Sequence, residues 1–327
     1  MKVRLRIAGV AGLLFSAGVA AQPQAGSAPY PTKPIRALVG FVPGGATDLM
    51  ARALGQKLSE SFGQQVIIDN RAGGGGVIAA TMAKDAPPDG YTIFFGTIST
   101  LATNVATSRR LPYDPLRDYA PITVTAFSPY FLVVHPSVQA KSVKEFVALA
   151  RAKPGQLNYA SSGTGGGAHL ALELFRVAAK LDMVHVPYKG SAQSMTEVLA
   201  GHVQMTFAQP AVSLSHAKSG KIRILGVTSS KPLSSWPTAP PLAEAGLPGF
   251  EATSWQGVVA PAKTPQTIIT RLHGEIVKAL NAPDIAGRLA AEGSEVGGMP
   301  PAQFAEFIRA EIAKWTRLAK EANIKVE

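Results

Sequence analysis

The chain contains no cysteine in 327 residues, and charged residues make up only 16% of it. The lack of cysteine excludes disulfides, thiol nucleophiles and thiolate metal sites, so stability must come from a core built from the 46% of residues that are hydrophobic. Beyond the N-terminus, no segment approaches the roughly 20 uninterrupted apolar residues of a transmembrane helix. We therefore expect a globular protein without a permanent membrane anchor.

The first 21 residues have the pattern of a secretory signal peptide. Lys2, Arg4 and Arg6 precede the apolar run VAGLLFSAGVA, and the small residues Ala20 and Ala21 precede Gln22. The apolar run is too short to remain in a bilayer as an anchor. We expect cleavage of this segment and export through the inner membrane into a bacterial periplasm.

The net charge of the chain is +11 at pH 7. Because its lysines and arginines are scattered singly, and because an exported protein rarely meets DNA, we expect a solvated basic surface and no nucleic-acid partner. The excess charge also favours small anions over small cations as ligands.

From residue 30 onward, strand-like and helix-like segments alternate, which is typical of an α/β fold. The unit strand, glycine-rich turn, helix, strand occurs twice, around Gly44 and around Gly165. We therefore predict two similar α/β domains with a ligand between them, joined by crossings near Thr125–Tyr130 and Gly249–Trp255. Two long helices close the chain and would pack on the first domain.

Helix signals set the finer expectations. Ser194 and Glu197 have the spacing of a capping box in SAQSMTEVLAG. In the last helix, Phe304, Ile308, Ile312 and Trp315 form the predicted inner stripe. Their side chains would face the sheet of the first domain.

The first glycine turn, VGFVPGGATD, resembles a phosphate-binding loop in spacing, but Ala46 stands where the lysine is required. Two interpretations remain open. The turn and the helix N-terminus could bind a small carboxylate through backbone N–H groups, or the turn could be purely structural with Thr47 as the helix N-cap. Asp48 would either complement the helix dipole or, if it faces the cleft, accept a hydrogen bond from the ligand.

The second glycine turn, SSGTGGGAHL, matches the dinucleotide pattern through Gly163, Gly165 and Ala168. The acid that should bind the ribose is misplaced, however, because Asp182 precedes the next strand instead of ending it. We therefore reject a dinucleotide. Hydroxyls and free backbone N–H groups in this turn suit a carboxylate.

Other residues near the predicted strand ends are weaker candidates. Phe41 and Tyr188 could form walls for a ligand, Ser99 lies at the sheet edge where α/β proteins bind ligands, and His169 opens the helix after the second turn. Ordinary core packing is the alternative for Phe41, and surface or core packing is the favoured interpretation of His169. A lone Lys189 on a turn is more typically solvated.

Motifs for catalysis and metal binding are missing. The sequence has no G-x-S-x-G elbow, and its six histidines show no H-x-x-x-H or H-E-x-x-H spacing. We therefore expect a protein that is not an enzyme and that uses neither a metal nor a cofactor.

Several segments, in order and spacing, resemble the Bug-type receptors of tripartite tricarboxylate transport systems. They include YPTKPIRALVGFVPGGATDLMAR, VIIDNRAGGGGVIAA, NYASSGTGGGAHLALELF, VPYKGSAQSMTEVLAGHVQMTFA and PPLAEAGLPGFEATSWQGVVAPAKTP. The resemblance runs from about residue 30 to the C-terminus. It implies the two-domain type II periplasmic-binding-protein clamshell, each domain being a mixed sheet flanked by helices.

The resemblance also implies a site and a function. Domain 1 would comprise residues 30–127 and 251–327, and domain 2 residues 128–250. A ligand carboxylate (of a di- or tricarboxylate, an acidic amino acid or an aromatic acid) would be held between Pro43–Asp48 and Ser161–Gly166, and Gln209 would adjust ligand choice. With the candidates taken from the residues themselves, the predicted ligand-binding positions are Phe41, Pro43, Gly44, Gly45, Ala46, Thr47, Asp48, Ser99, Ser161, Ser162, Gly163, Thr164, Gly165, Gly166, His169, Tyr188 and Gln209.

The expected partners are the membrane subunits of such a transporter, with the receptor itself a monomer. Two other functions stay open at this point. One is an exported enzyme of the same fold, either a hydrolase or a dinucleotide-dependent enzyme, and the other is a signalling receptor that presents its liganded form to a sensor.

Overall fold

The computed structural model describes residues 30–321, so the predicted signal peptide lies outside the described residues. Within that range, none of the helices combines the length and the apolar character needed to cross a bilayer.

Strands and helices alternate through most of the described chain. The strands are β1 (Ile35–Val39), β2 (Val66–Asn70), β3 (Thr92–Thr97), β4 (Tyr119–Pro129), β5 (Phe131–Val134), β6 (Asn158–Ser161), β7 (Val184–Pro187), β8 (Met205–Ala208), β9 (Arg223–Val227), β10 (Thr253–Pro261) and β11 (Glu295–Val296). The helices are α1 (Ala46–Phe62), α2 (Val77–Lys84), α3 (Asn104–Thr107), α4 (Val143–Ala152), α5 (Gly167–Ala178), α6 (Ser191–Leu199), α7 (Pro210–Lys218), α8 (Gln266–Leu280), α9 (Pro283–Glu292) and α10 (Pro301–Glu321).

The strands form two mixed sheets. The first has the order β11-β4-β10-β3-β1-β2, with β1 parallel to β2 and β3, and β10 antiparallel to β3 and β4. The second has the order β7-β6-β8-β5-β9, with β6 parallel to β7 and β8, and β5 antiparallel to β8 and β9. We call each sheet with its flanking helices a lobe. The predicted fold class, mixed sheets flanked by helices, is confirmed.

The chain enters the second lobe at Tyr130, between β4 and β5, and re-enters the first sheet with β10. The strands of the first sheet thus come from residues 35–129 and 253–296, and those of the second from residues 131–227. The predicted domain boundaries at residues 127/128 and 250/251 stay a prediction, close to these crossings.

The last helix, α10, packs on the first lobe through a stripe that includes Phe304, Ile308 and Trp315, all of which are buried. Ile312 of the predicted stripe is only partly buried. Glu311 is buried instead, and its Oε2 accepts hydrogen bonds from the indole N–H groups of Trp255 at 2.8 Å and Trp315 at 3.0 Å. These bonds allow a carboxylate to lie inside an apolar stripe.

The predicted capping box at Ser194 and Glu197 is wrong. Gly190 is the N-cap of α6, with φ 153°, a value that favours glycine, so the helix begins at Ser191. Ser194 therefore lies inside the helix, where its hydroxyl donates to the carbonyl of Ser191 at 3.1 Å.

Besides the one-turn helix α3, two longer helices, α7 and α9, were not predicted. Both carry proline at their first positions, Pro210 and Pro283. Proline has no N–H to lose at a helix start, so it is favourable there, although it reads as a helix breaker in a sequence.

Candidate functional site

The carboxyl ends of the parallel strands in both sheets carry the turns that form the site. After β1 the chain turns through Gly44, whose φ of 81° favours glycine, and α1 begins with Gly45 as N-cap. Thr47, which the structural interpretation of the turn made the N-cap, instead lies within the helix. The amides of Thr47 and Asp48 have no hydrogen-bond acceptor within residues 30–321, as expected for the first turn of a helix.

Asp48 lies behind this turn and is 1% exposed. Its carboxylate accepts hydrogen bonds from the amide of Gly44 at 2.9 Å, from Arg52 Nε at 2.9 Å and from Asn70 Nδ2 at 3.0 Å. Burial alone would raise the pKa of Asp48, but the bonds from Arg52, Gly44 and Asn70 hold it below its usual value. The side chain thus supports the turn from within the first lobe.

The second turn follows β6 and leads into α5. Gly163 and Gly165 have φ values of 136° and 74°, and Gly166 is the N-cap of α5. The amide of Gly167 donates to Ser99 Oγ of the first lobe at 2.9 Å. The amide of Ala168 has no acceptor in the described chain. A second helix N-terminus, with the free N–H group of Ala168, therefore faces the first lobe.

Ser161 and His169 lie beneath this turn. His169 Nδ1 accepts from the amide of Gly165 at 3.0 Å, and Ser161 Oγ lies 2.7 Å from His185 Nε2. The rings of His169 and His185 stack with centroids 4.0 Å apart, and His185 also stacks on Tyr159. Burial, and then the neighbouring His169, lowers the pKa of His185 to about 3. His185 is therefore uncharged at neutral pH, where it supports the turn from beneath.

The two lobes contact each other directly around these turns. Val42 donates from its amide to the carbonyl of Lys189 at 3.3 Å, and the amide of Ala46 donates to Ser191 Oγ at 3.4 Å. Thr103 Oγ1 donates to the carbonyl of Gly165 at 2.8 Å. Hydroxyls and backbone groups, and no ion pairs, make these contacts.

A small cavity, the head cavity, lies between the two helix N-termini. Its volume is about 40 Å³, room for a few water-sized groups. It is lined by Phe41, Gly45, Thr47, Thr97, Ile98, Ser99, Tyr130, Ser162, Ala168, Ser191, Ser194, Phe207, Gln209, Ser254 and Gln256. None of these side chains is charged. The structure thus brings together six predicted positions: Phe41, Gly45, Thr47, Ser99, Ser162 and Gln209.

A second space, the glycine cavity, opens on one side of the head cavity and has a volume of about 430 Å³. It shares Phe41 and Ser162 with the head cavity. Its walls also include the predicted residues Gly163, Thr164, Gly165 and Tyr188, together with the backbone of Gly73–Gly76, Thr107 and Lys189. Most of the second turn therefore faces this cavity.

A third space, the annex, also adjoins the head cavity and has a volume of about 260 Å³. It lies between α1, α7 and α9, and it shares Gln209 and Gln256 with the head cavity. Of the other predicted positions, only Ala46 lies along it.

The remaining predicted positions lie along none of these three cavities of the described chain. Pro43 and Gly44 are exposed on the outer side of the first turn, while Asp48, Ser161 and His169 are buried behind the turns. Gly166 caps α5, where an added Cβ would lie 3.1 Å from Ser99 Oγ. These residues shape the backbone of the turns.

Several residues of the head cavity were not predicted. Thr97 ends β3, Tyr130 lies at the crossing, and Ser254 and Gln256 belong to β10. Gln256 had a signal in the sequence, because it interrupts the apolar strand SWQGVV and buried glutamines are uncommon. Burial raises the pKa of Tyr130 to about 12, so its hydroxyl is a neutral donor. The described residues contain no group of three or more acids and histidines arranged to hold a metal.

Comparison with known proteins places the chain in a family. Residues 50–324 match the family model described as "Tripartite tricarboxylate transporter family receptor". The chain is 35% identical over 324 residues to Protein BugT of Bordetella pertussis, covering 98% of this chain and 99% of that protein.

Solved structures agree with the family match. "R. palustris Rpa4515 with adipate" is 38% identical with a TM-score of 0.87, covering 90% of this chain and 99% of that one. "MatC (Rpa3494) from Rhodopseudomonas palustris with bound malate" is 29% identical with a TM-score of 0.85, and the match covers 88% of this chain and 99% of that one. The matched family is one of transporter receptors and not of enzymes. The chain therefore belongs to the receptor family of the tripartite tricarboxylate transporters, among its Bug-type solute-binding proteins.

Proposed function

We propose that this protein is a periplasmic receptor that captures a small carboxylate between its lobes and delivers it to the membrane subunits of a tripartite tricarboxylate-type transporter. The observation that carries the proposal is the head cavity, where two helix N-termini from opposite lobes present free amides. Thr47 belongs to one of these helices and Ala168 to the other.

Helix N-termini favour anions because their unpaired N–H groups point outward and the helix dipole is positive there. Side-chain hydroxyls around the cavity add neutral donors, among them those of Ser99, Ser162 and Ser191. A carboxylate bound by such donors forms charge-assisted hydrogen bonds, each worth roughly 1.5–3 kcal/mol. The cavity needs no arginine or lysine for one carboxylate group.

The bound molecules of the two relatives support the same ligand class. Adipate and malate are both carboxylates, and the proteins that hold them share the fold of this chain over nearly its whole length. For this protein we extend the likeness only to the carboxylate group, because the side chains beyond the head cavity choose the remainder of the ligand.

Capture between lobes requires that they separate to admit the ligand. We propose that residues 30–127 and 251–327 move against residues 128–250 about the two crossings. We further propose that the N-terminal 21 residues direct export, and that the mature receptor works as a monomer.

A thermal-shift screen tests the proposal. The exported protein is measured with di- and tricarboxylates, aromatic acids, acidic amino acids and nucleotides. A ligand at 100 times its Kd adds roughly 2.7 kcal/mol to the free energy of unfolding. A shift with at least one carboxylate and with no nucleotide is expected, whereas a shift with nucleotides alone would refute the proposal.

A matched pair of variants tests the location. Gly45→Asp introduces a carboxylate at the head cavity, where an added Cβ already lies 2.9 Å from Ser191 Oγ, and should abolish carboxylate binding. Gly274→Asp makes the same charge change in α8, where an added Cβ meets no atom within 4 Å, and should leave binding intact. Unchanged affinity in Gly45→Asp would remove the first turn from the site.

A further inference from the structure

The head cavity is too small for a whole organic acid. Its volume of about 40 Å³ corresponds to a carboxylate group with one or two waters, since a water needs about 10–15 Å³ by this kind of measure. The remainder of any ligand must therefore extend into the glycine cavity past Phe41 and Ser162, or into the annex past Gln209 and Gln256.

The boundary with the annex is the one with unsatisfied polar groups. Gln256 is 4% exposed, and its Oε1 is fully buried without a hydrogen-bond partner among the described residues. The side-chain amide of Gln209 likewise makes no hydrogen bond in that part of the chain. Both amides can rotate without breaking a bond, so opening this boundary costs no internal hydrogen bond.

At the boundary with the glycine cavity, by contrast, polar groups are hydrogen-bonded between the lobes. Thr103 Oγ1 donates to the carbonyl of Gly165 at 2.8 Å, and Ser99 Oγ accepts from Gly167 at 2.9 Å. An added Cβ on Gly163 would lie 3.2 Å from the Cα of Gly75, so the backbones of the two lobes are almost in contact. Extension in this direction would break existing contacts between the lobes.

The walls of the annex are mainly apolar. They include Leu49, Met50 and Ala53 of α1 and Ile285 and Leu289 of α9. With about 260 Å³, the annex exceeds an apolar cavity of about 150 Å³ that can hold benzene. It has room for a phenyl ring or a hydrocarbon chain.

Charges at the rim of the annex are already paired. Arg288 Nε lies 2.9 Å from Glu292 Oε1, and Asp284 Oδ2 lies 3.0 Å from Lys57 Nζ. A second carboxylate in the annex would meet no unpaired cation there and would face two acids. The annex is therefore suited to an uncharged arm.

We infer that the annex receives the hydrocarbon arm of the ligand, and that this receptor selects carboxylic acids with an apolar arm of at least phenyl size over small polyanions such as citrate. The inference rests on the proposed carboxylate capture, to which it adds the class of acid. In it, Gln209 and Gln256 are the side chains that turn aside as the arm passes from the head cavity into the annex.

Calorimetry with butyrate, hexanoate, octanoate, 3-phenylpropionate, malate and citrate tests the inference on the exported protein. A fully buried methylene increases affinity by about fourfold. Because the annex is partly open, we expect octanoate to bind at least about tenfold tighter than butyrate. We also expect 3-phenylpropionate to bind more tightly than malate or citrate.

Two variants are designed to fill the annex, and a third variant serves as their control. Ala53→Phe and Leu49→Trp should reduce the octanoate-to-butyrate ratio to below about threefold, with the Kd of butyrate within about twofold of the parent value. Ala286→Phe enlarges another half-buried alanine on α9 that does not line the annex and should keep the ratio. Melting of all three checks that they fold.

The outcomes separate the two proposals. Equal affinity for butyrate and octanoate, tighter binding of citrate or malate than of the armed acids, or a ratio that survives both filling variants would overturn the annex while leaving carboxylate capture in place. Binding of no acid at all would overturn carboxylate capture itself, and the annex with it.

Discussion

The glycine cavity and the annex adjoin the same small head cavity through different residues and differ in what lines them. Backbone forms the first, with Gly163 and Gly165 at positive φ and close to the other lobe. Helix side chains form most of the annex. They are mostly apolar, and none of them stands out individually in the sequence. A turn whose backbone conformation requires glycine can be recognised in the sequence as a motif. A groove between helices leaves no such motif.

The largest effect should come from breaking the glycine side. At Gly165 an added Cβ would lie 2.4 Å from Thr107 Oγ1 of the other lobe, and φ is 74°. We expect Gly165→Ala to lower carboxylate affinity at least about tenfold by holding the lobes apart, besides a strain cost of about 1–2 kcal/mol. Affinity by calorimetry and unfolding by urea are the measurements.

Gly63→Ala is the control for that change. Its φ of 62° imposes similar strain, but an added Cβ there meets nothing within 4 Å. It should lose stability and keep full affinity. If both variants bind equally well, contact between lobes at the second turn plays no part in capture.

The next effect concerns the support behind the first turn. Asp48→Ala removes the acceptor of the bonds from Gly44, Arg52 and Asn70. We expect the free energy of unfolding to fall by about 2–3 kcal/mol at pH 7. Asp284→Ala removes an acid whose side chain is 61% exposed and should produce no measurable change. Similar losses in both variants would mean that burial of Asp48 is unimportant.

The boundary between head cavity and annex gives a smaller effect with the opposite sign. Gln256→Met replaces a buried amide whose oxygen has no partner within the described residues, so it should raise the free energy of unfolding by about 1–2 kcal/mol. In Gln204→Met the lost oxygen accepts from the amide of Asn158 at 2.8 Å, and stability should fall. Urea unfolding of both variants measures the change in the free energy of unfolding. A decrease in both variants would show that the side-chain oxygen of Gln256 has a hydrogen-bond partner in solution.

The smallest effect is a pH dependence from the histidine pair under the second turn. Unfolded His185 takes up a proton near pH 6.5, but the pKa in the folded protein is about 3 because of burial and the adjacent His169, although Glu173 opposes this. Stability is therefore lost as pH falls from 6.5 toward 3, by at most about 1.4 kcal/mol per pH unit. Urea unfolding at pH 7 and 5.5 measures the loss.

Two variants test whether His185 causes this pH dependence of stability. His185→Gln keeps a polar side chain near Ser161 but removes the titrating ring. It should therefore reduce the loss in the free energy of unfolding between pH 7 and 5.5. His202→Gln, at a side chain that is 70% exposed, should keep it. An unchanged slope in His185→Gln would place the titration elsewhere.

Sequence reasoning succeeded where local rules act alone. Glycines after buried strands predicted both turns, and the spacing of Phe304, Ile308 and Trp315 predicted the buried face of α10. It missed α7 and α9, which begin at Pro210 and Pro283, although proline is favourable at a helix start. Since α9 supplies one wall of the annex and α7 adds Ala211 to it, the annex was missed with them.

Within the candidate site, sequence reasoning predicted where the two glycine turns form but not which side chains face inward. Ser161 and Ser162 are adjacent, yet Ser162 lines the head cavity and Ser161 bonds beneath the turn. Ser254 and Gln256 come from a strand almost a hundred residues after the second turn. Their place in the site depends on packing of the sheets, which no local pattern carries.

A cocrystal structure with 3-phenylpropionate tests the central claim most directly. We predict one ligand carboxylate in the head cavity, with its oxygens about 2.7–3.1 Å from the amides of Thr47 and Ala168, so that both helix N-termini bind the same group. A carboxylate beside Lys189 or Arg288, with neither amide in contact, would contradict the account.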